Sequence, residues 1–228
     1  MEFEGVQIAA RGISVRGPRG CAFANVSLDV AAAQLAVVAG QAGSGRTALL
    51  LALAGRMRLV TGTVAVGRYR LPGDSRRVQQ LVAVAAAPPA VDLDEFLRVD
   101  EHVAERAVFG RARAPAVSEA LDVLGFVAAG HSRVGELRAS DRVLLAAALA
   151  AAERPAAIVI DDVDSGCGPA ESRRVWSGLS ALAELGCTVV ASSTDIPEAL
   201  DQIDIAVTPL PHPFGSDPIP GADGGANR

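Results

Sequence analysis

The sequence predicts an α/β domain built on a mostly parallel sheet, with an antiparallel β portion at the N-terminus and a helical insert near the middle. Three observations lead to this prediction. The chain has 228 residues, which is enough for one good-sized domain. Half of the residues are hydrophobic and 21% are charged, a balance that excludes disorder over most of the length. Short apolar runs alternate with helical segments, as in parallel sheets covered by helices.

The first third of the chain predicts several short strands and one helix. Residues 23–30 alternate apolar and polar side chains, as in a half-buried strand, whereas residues 35–39 are apolar throughout and predict a fully buried one. A glycine-rich segment follows, and the helix-forming run 48–54 ends at Gly55. Further short strands are predicted at 62–67 and 81–85, before Pro88-Pro89.

The middle of the chain predicts a helical insert at about residues 98–152, with no convincing strand. Its predicted helices are 99–109, 117–124 and 141–152. The α/β alternation then returns with a strand at 157–160, a helix at 169–185, a strand at 188–192, a short helix at 197–200 and a strand at 203–207. Residues 209–228 are rich in Pro and Gly without periodicity, which predicts a disordered tail after a domain of residues 1–208.

Composition argues against several classes of protein. The net charge of −5 and the pI near 5.2 argue against a phosphate-coating surface, so no nucleic-acid partner is expected. No run approaches the roughly 18 apolar residues of a membrane span, and the acidic start of the chain lacks the basic region of a secretory signal. We therefore expect a cytoplasmic protein. The histidines and cysteines are scattered without metal-ligand spacing, and we expect the cysteines to be small core residues.

Residues 40–47 carry the pattern of a phosphate-binding loop. The loop consists of Gly40, Gln41, Ala42, Gly43, Ser44, Gly45, Arg46 and Thr47. Its glycines supply a flexible backbone whose N–H groups can converge on phosphate oxygens at the start of a helix. Arg46 takes the position of the basic residue that reaches the outer phosphates, and Thr47 supplies a hydroxyl for Mg²⁺. The alternative is a glycine-rich turn that merely starts a helix. The predicted strand before the loop and the helix after it favour the phosphate loop.

A second motif lies at the end of the predicted strand 157–160. Asp161 follows this strand, and its carboxylate can hold the water shell of a magnesium ion beside the phosphate loop. The next residue, Asp162, is a candidate to orient an attacking water. By itself a strand that ends in Asp-Asp is more often a turn than a site, but together with the loop it predicts a nucleotide site.

With these two motifs in this order and a helical segment between them, residues 5–207 resemble the nucleotide-binding domain of ATP-binding cassette (ABC) transporters. The resemblance implies a P-loop NTPase core of ABC type and a site for ATP and Mg²⁺. On this basis residues 40–47 and Asp161 contact the nucleotide, and Thr47 and Asp161 hold the metal. Asp162 takes the place of the catalytic glutamate.

The resemblance also exposes departures from the family's motifs. Arg46 stands for the phosphate-loop lysine, in a chain whose 21 basic residues are all arginine. Asp162, one methylene shorter than glutamate, falls short of a water by about 1.5 Å, and Thr194 replaces the switch histidine. Ala86 replaces the magnesium-sensing glutamine, and Arg16 stands near the position of the aromatic residue that stacks on adenine.

The family's signature sequence falls on Leu137-Arg138-Ala139-Ser140-Asp141. In the family this segment completes the nucleotide site of the opposite subunit in a head-to-tail dimer. Asp141 suits the start of a helix but would repel an approaching phosphate, and Arg138 would offset part of that repulsion. The simpler interpretation is that Ser140 and Asp141 cap the helix, in which case this chain contributes little to a partner's site.

Two functions of different class follow. The first is an energy-coupling subunit that binds ATP and hydrolyses it weakly, peripheral to the cytoplasmic face of the plasma membrane and attached to a permease. The second is a non-catalytic relative that acts as a structural or regulatory partner of a membrane protein or of a competent cassette ATPase. Either one is expected to form a homodimer or a heterodimer with another cassette. A P-loop kinase is disfavoured by the long helical segment between the two motifs.

Overall fold

The computed structural model describes residues 1–18, 20–109, 114–194 and 205–212. Within these ranges the strands are β1 (Ile8–Gly17), β2 (Gly20–Val30), β3 (Leu35–Ala39), β4 (Leu59–Val66), β5 (Tyr69–Leu71), β6 (Val82–Ala86), β7 (Ala157–Ile160), β8 (Thr188–Ser193) and β9 (Ile205–Pro209). Its α-helices are α1 (Arg46–Leu53), α2 (Ser75–Leu81), α3 (Val99–Phe109), α4 (Ala114–Val123), α5 (Ala139–Ala151) and α6 (Pro169–Glu184). The prediction of a mixed α/β fold with an antiparallel N-terminal portion is confirmed.

The N-terminal strands form an antiparallel sheet of order β2-β1-β4-β5. On β1 the side chains of Ile8, Ala10, Ile13 and Val15 are almost completely buried, and a register shift between Ala10 and Ile13 interrupts the alternation. These residues pack on one side of α1 together with Leu49, Leu50 and other apolar residues. This sheet therefore covers one face of the helix that follows the glycine-rich loop.

A second sheet, of order β6-β7-β8-β3-β9, is parallel throughout. Every residue of β3, β7 and β8 is buried, which agrees with their continuous apolar sequences. Because the strands run in the same direction, the residues that follow Ala39, Ile160 and Ser193 lie along one edge of the sheet. Ligands bind at this carboxyl edge in open α/β sheets.

Three α-helices lie between β6 and β7. The described residues of this stretch also contain a short 3₁₀ turn and isolated β-bridges, but no strand of either sheet. Leu145 and Leu149 of α5 pack with Val99 of α3 and Val117 of α4. The opposite side of α5 joins a second cluster with Trp176 and the strands of the parallel sheet. Helix α5 thus connects the helical region to the core. No described helix is long and apolar enough to cross a membrane.

The end of the described chain differs from the prediction. The last described strand, Ile205–Pro209, ends two residues beyond the predicted end at 207, because its register pairs Pro209 with Ala39 at the end of β3. Leu210 falls in the predicted tail, yet it is buried and its N–H donates to the Ala39 carbonyl at 2.7 Å. The short helix predicted at 197–200 and residues 213–228 lie outside the described residues.

The cysteines also differ from the prediction of three core residues. Cys187 is buried, but Cys167 is partly exposed and Cys21 is exposed. Cys21 lies near the start of β2, where the strand is less covered than at Phe23, which is buried.

Candidate functional site

The glycine-rich segment connects β3 to α1 as a tight loop at the carboxyl edge of the parallel sheet. The Gly40 N–H donates to the Ser193 carbonyl at 3.1 Å, and the Ser44 N–H donates to the Gln41 carbonyl at 3.0 Å. Gly43 and Gly45 have φ values of 84° and 94°, which side chains rarely tolerate. The loop therefore directs the first, unpaired N–H groups of α1 toward the edge of the sheet, as a phosphate-binding loop requires.

Two buried polar atoms of this loop have no hydrogen-bond partner within the described part of the chain. They are the Ser44 hydroxyl oxygen, which is fully buried, and Nη1 of Arg46, whose side chain is 9% exposed. A buried polar atom left without a partner is costly, so such atoms are uncommon outside ligand sites and strained regions. Their position in a glycine-rich loop fits an anionic ligand with several acceptor oxygens.

The predicted magnesium ligands lie side by side. The Thr47 hydroxyl donates to one carboxylate oxygen of Asp161, and the Ser192 hydroxyl donates to the other. Asp161 is buried, and its N–H donates to the Ala86 carbonyl at 2.9 Å. A hydroxyl and a carboxylate held together are the hard oxygen ligands that Mg²⁺ prefers, so the donor set fits this ion.

Asp162 forms an ion pair with Arg46. Its Oδ1 lies 3.0 Å from Nη2 of the arginine, across the space between the ends of β7 and β3. Asp162 has a φ of 52°, and its N–H donates to the Ser192 hydroxyl at 2.9 Å. The sequence predicted separate roles for these two residues, on a phosphate and on a water. In the structure each of the two charged groups neutralises the other.

A third carboxylate lies in the turn after Asp162. Burial raises the pKa of Asp164 above its ordinary value, although the Ser193 hydroxyl donates to Asp164 at 2.7 Å and thereby opposes the shift. The negative charge of Asp162 raises this pKa further, and Arg46 lowers it. The turn therefore concentrates negative charge beside the loop, which makes the positive charge of Arg46 important to the site.

The residues at the altered family positions are distributed around this centre. Ala86 lines a cavity of about 400 Å³ together with Asp161 and Asp162. Thr194 is exposed and lines a separate cavity with Gly40 and His212. Arg16 is an exposed residue of β1. None of the three side chains at positions 16, 86 and 194 offers the group that the family pattern has there.

The interpretation that Ser140 and Asp141 cap a helix is wrong. Helix α5 begins at Ala139, and the residue before it makes no side-chain capping bond. Asp141 is buried and its carboxylate accepts a hydrogen bond from Nη1 of Arg174, on α6, at 2.7 Å. This ion pair neutralises the charge that was expected to repel a phosphate. The Ser140 hydroxyl is buried without a hydrogen-bond partner among the described residues.

Sequence reasoning missed Ser192, Ser193 and His212. The Ser192 hydroxyl donates to the Asp161 carboxylate and accepts from the Asp162 N–H, and the Ser193 hydroxyl donates to the Asp164 carboxylate. The place of both serines at the end of a buried strand parallel to β7 was the available signal. The His212 ring lies close to Gly43, since a Cβ added there would be 3.2 Å from Nε2. No sequence pattern pointed to His212, because the segment that carries it was assigned to the tail.

Known proteins resemble this chain over most of its length. The ABC transporter family matches residues 23–165. The zinc import ATP-binding protein ZnuC of Ruegeria pomeroyi is 29% identical over 193 residues, 83% of this chain and 69% of that protein. The aliphatic sulfonates import ATP-binding protein SsuB 2 of Xanthomonas axonopodis pv. citri is 28% identical over 224 residues, 92% of this chain and 74% of that protein.

Solved structures have the same fold. The dimeric bacterial ABC transporter cassette MJ0796 superposes with a TM-score of 0.73 at 18% identity, covering 90% of this chain and 94% of that one. A nucleotide-free ATP-binding cassette from an ABC transporter gives a TM-score of 0.72 at 17% identity, covering 91% of this chain and 87% of that one. At these identities the likeness establishes the architecture of two sheets with intervening helices.

Proposed function

This chain belongs to the ABC transporter family, and from that premise we propose that it is an energy-coupling subunit that binds ATP with Mg²⁺ and hydrolyses ATP slowly. The observation that carries the proposal is the loop at residues 40–47. It places the unpartnered Ser44 hydroxyl and Arg46 Nη1 next to the contact between Thr47 and Asp161. Hydrogen-bond donors for phosphate thus lie beside oxygen ligands for a divalent cation.

Each residue of the site has a role in this proposal. The loop backbone and Ser44 bind phosphate oxygens, Arg46 supplies positive charge, and Thr47 with Asp161 holds the metal. Bound Mg²⁺ supplies charge neutralisation on the phosphates. Asp162 stands where the base would be, but its carboxylate is engaged by the Arg46 guanidinium, and Thr194 offers no imidazole. Slow hydrolysis follows from these two features.

A second candidate function is a non-catalytic partner of a competent cassette ATPase. The ion pair between Arg46 and Asp162 favours it, because that pair occupies both groups that hydrolysis would need. In this case the chain binds nucleotide and supports a heterodimer without turning ATP over. Steady-state phosphate release by the purified chain separates the two candidates, since turnover that Asp162→Asn abolishes would exclude the second one.

We place the chain at the cytoplasmic face of the plasma membrane, with a permease subunit and a second cassette as partners. The surface that supports a permease contact is a groove of about 440 Å³ lined by Asp92, Asp94, Glu105 and Phe109. Phe109 is 85% exposed, an unusual state for a large apolar side chain. Arg106 also lines the groove but is paired with Glu153, so the remaining acidic side chains suit a basic segment of the partner. A chain that never co-purifies with a membrane protein when expressed with its candidate permease would contradict this placement.

The test of nucleotide binding is the thermal midpoint of the purified chain during titration with Mg²⁺-ATP. Ligand at 100 times Kd stabilises the native state by about 2.7 kcal/mol, which corresponds to about 5–10 °C in a domain of this size. Thr47→Ala is expected to remove most of the shift, and Thr47→Ser, which keeps the hydroxyl, should retain it.

Thr61→Ala is the matched control for this titration. It also deletes a threonine hydroxyl that donates a hydrogen bond, but that hydroxyl contacts Gly12 and Ser14 on the N-terminal sheet. The control should therefore shift with ATP as the natural chain does. The absence of a shift in the natural chain at millimolar ATP, or a shift unchanged in Thr47→Ala, would contradict the proposed site.

A further inference from the structure

The ion pair between Arg46 and Asp162 joins two parts of the site that a bound nucleotide would use separately. Arg46 is the first residue of α1, and Asp162 follows β7 by two positions. The guanidinium is almost completely buried, whereas the side chain of Asp162 is 38% exposed. The pair therefore lies at the boundary between the protein interior and the edge of the sheet where a ligand would enter.

The backbone of Asp162 is held in place independently of the arginine. Its left-handed conformation is stabilised by the hydrogen bond from its N–H to the Ser192 hydroxyl, and the same hydroxyl donates to Asp161. Asp is among the residues that tolerate this conformation best. The backbone that carries the carboxylate is thus held opposite the loop by contacts that do not involve the arginine.

A phosphate and a carboxylate are alternative anionic partners for a guanidinium. In the structure Nη2 of Arg46 faces the carboxylate, and Nη1 is buried without a hydrogen-bond partner in the described residues. A phosphate bound by both nitrogens would either displace Asp162 from Nη2 or lie next to its negative charge. Both alternatives weaken phosphate binding, the first through the lost ion pair and the second through repulsion.

We propose that Asp162 is an internal competitor of the nucleotide phosphate, which holds Arg46 in the nucleotide-free state and lowers the affinity of the loop. This inference rests on the proposed function, since it assigns the residue that limits binding at that same site. Asp162 here acts through Arg46 as a positioning residue. It makes binding an exchange of one anion for another, so nucleotide binding is coupled to release of the carboxylate.

The test measures binding of ADP, and of ATP in the presence of EDTA, by isothermal titration calorimetry. Under these conditions hydrolysis does not contribute, and the affinity is read directly. Asp162→Asn removes the charge, and asparagine also tolerates the left-handed backbone. We expect Kd for ADP to fall about tenfold, a size that reflects one ion pair weakened by the partial exposure of the aspartate.

Two further variants identify the cause of any tightening. Arg46→Gln should weaken binding, and in that background Asp162→Asn should change Kd less than twofold, because the arginine through which it acts is gone. Asp164→Asn is the matched control, since it removes a nearby negative charge that hydrogen-bonds to Ser193 and not to Arg46. It should change Kd much less than Asp162→Asn does.

The outcomes separate this inference from the proposed function. If the natural chain binds ADP and Asp162→Asn fails to tighten binding, the competition is wrong and the binding function stands. Equal tightening by Asp164→Asn, or tightening that persists with Arg46→Gln, also overturns it. If neither the natural chain nor Asp162→Asn binds nucleotide, both proposals fail. If Asp162→Asn binds ADP and the natural chain does not, Asp162 prevents binding completely, which supports the competition.

Discussion

Gly45 permits the closest approach of the phosphate-binding loop to the antiparallel sheet, and replacing it with alanine tests how the loop is held. Its φ is 94°, and a Cβ added at this position would lie 2.2 Å from the carbonyl oxygen of Ala22 and 2.9 Å from its carbonyl carbon. Contacts this short do not occur between a Cβ and a backbone atom, so β2 or the loop must move in Gly45→Ala.

Two terms contribute to the expected loss of stability. The left-handed conformation costs a residue with a Cβ about 1–2 kcal/mol, and forcing apart a packed contact costs about 1–3 kcal/mol more. We therefore expect Gly45→Ala to lower the free energy of unfolding by about 2–5 kcal/mol. Urea denaturation followed by circular dichroism measures this change, and the accompanying fall in the thermal midpoint should be several degrees.

Gly125→Ala separates the two terms. Gly125 also has a positive φ, 65°, but no described atom lies within 4 Å of an added Cβ. This variant should show the conformational cost alone and be destabilised by about 1–2 kcal/mol. If Gly45→Ala is no more destabilised than Gly125→Ala, the contact with Ala22 does not hold the loop, and the reasoning from close approach is refuted.

Two further predictions concern side chains buried away from the loop. Arg174→Met should lower the free energy of unfolding, measured in urea, by about 1–3 kcal/mol, because it leaves the buried Asp141 without its cation. Adding Asp141→Leu should recover part of this loss. A loss under about 0.5 kcal/mol in Arg174→Met would contradict the prediction. Burial raises the pKa of Cys187 to about 12, so at pH 8 a thiol reagent should modify it only upon unfolding. The exposed Cys21 should react in the native state, and equal rates by peptide mass spectrometry would contradict the burial.

The elements of the fold were predictable where their signal is local. A continuous apolar run, a glycine-rich loop and a helix-forming run are adjacent in sequence, and the structure has β3, the loop and α1 in that order. The Asp161 position was equally accessible, since it follows the apolar strand β7 directly. The ends of strands that depend on pairing with another strand were harder to predict from the sequence. The last strand continues to Pro209 because β3 supplies its partner, and local composition favoured a tail there.

The contacts of the candidate site required the tertiary structure. Thr47 and Asp161 are 114 residues apart, and Asp162 and Ser192 are 30 apart. Their pairing depends on the strand order β7-β8-β3, which no local pattern specifies. The same applies to Asp141, whose place near the start of a helix suggested a cap, whereas its partner is Arg174 on another helix. A charged residue near a helix start has both options, and packing chooses between them.

The sequence alone determined that this chain carries a strand, a glycine-rich loop, a helix and a distant acidic strand end, because each is set by side chains that are neighbours along the chain. Only the tertiary structure decided which charged groups of that site form ion pairs and hydrogen bonds with one another. The parallel sheet brings the ends of β3, β7 and β8 to one edge, so Arg46 meets Asp162 at 3.0 Å while Ser192 holds both aspartates. Electrostatic interactions depend on distance and burial in space, which spacing along a sequence does not specify.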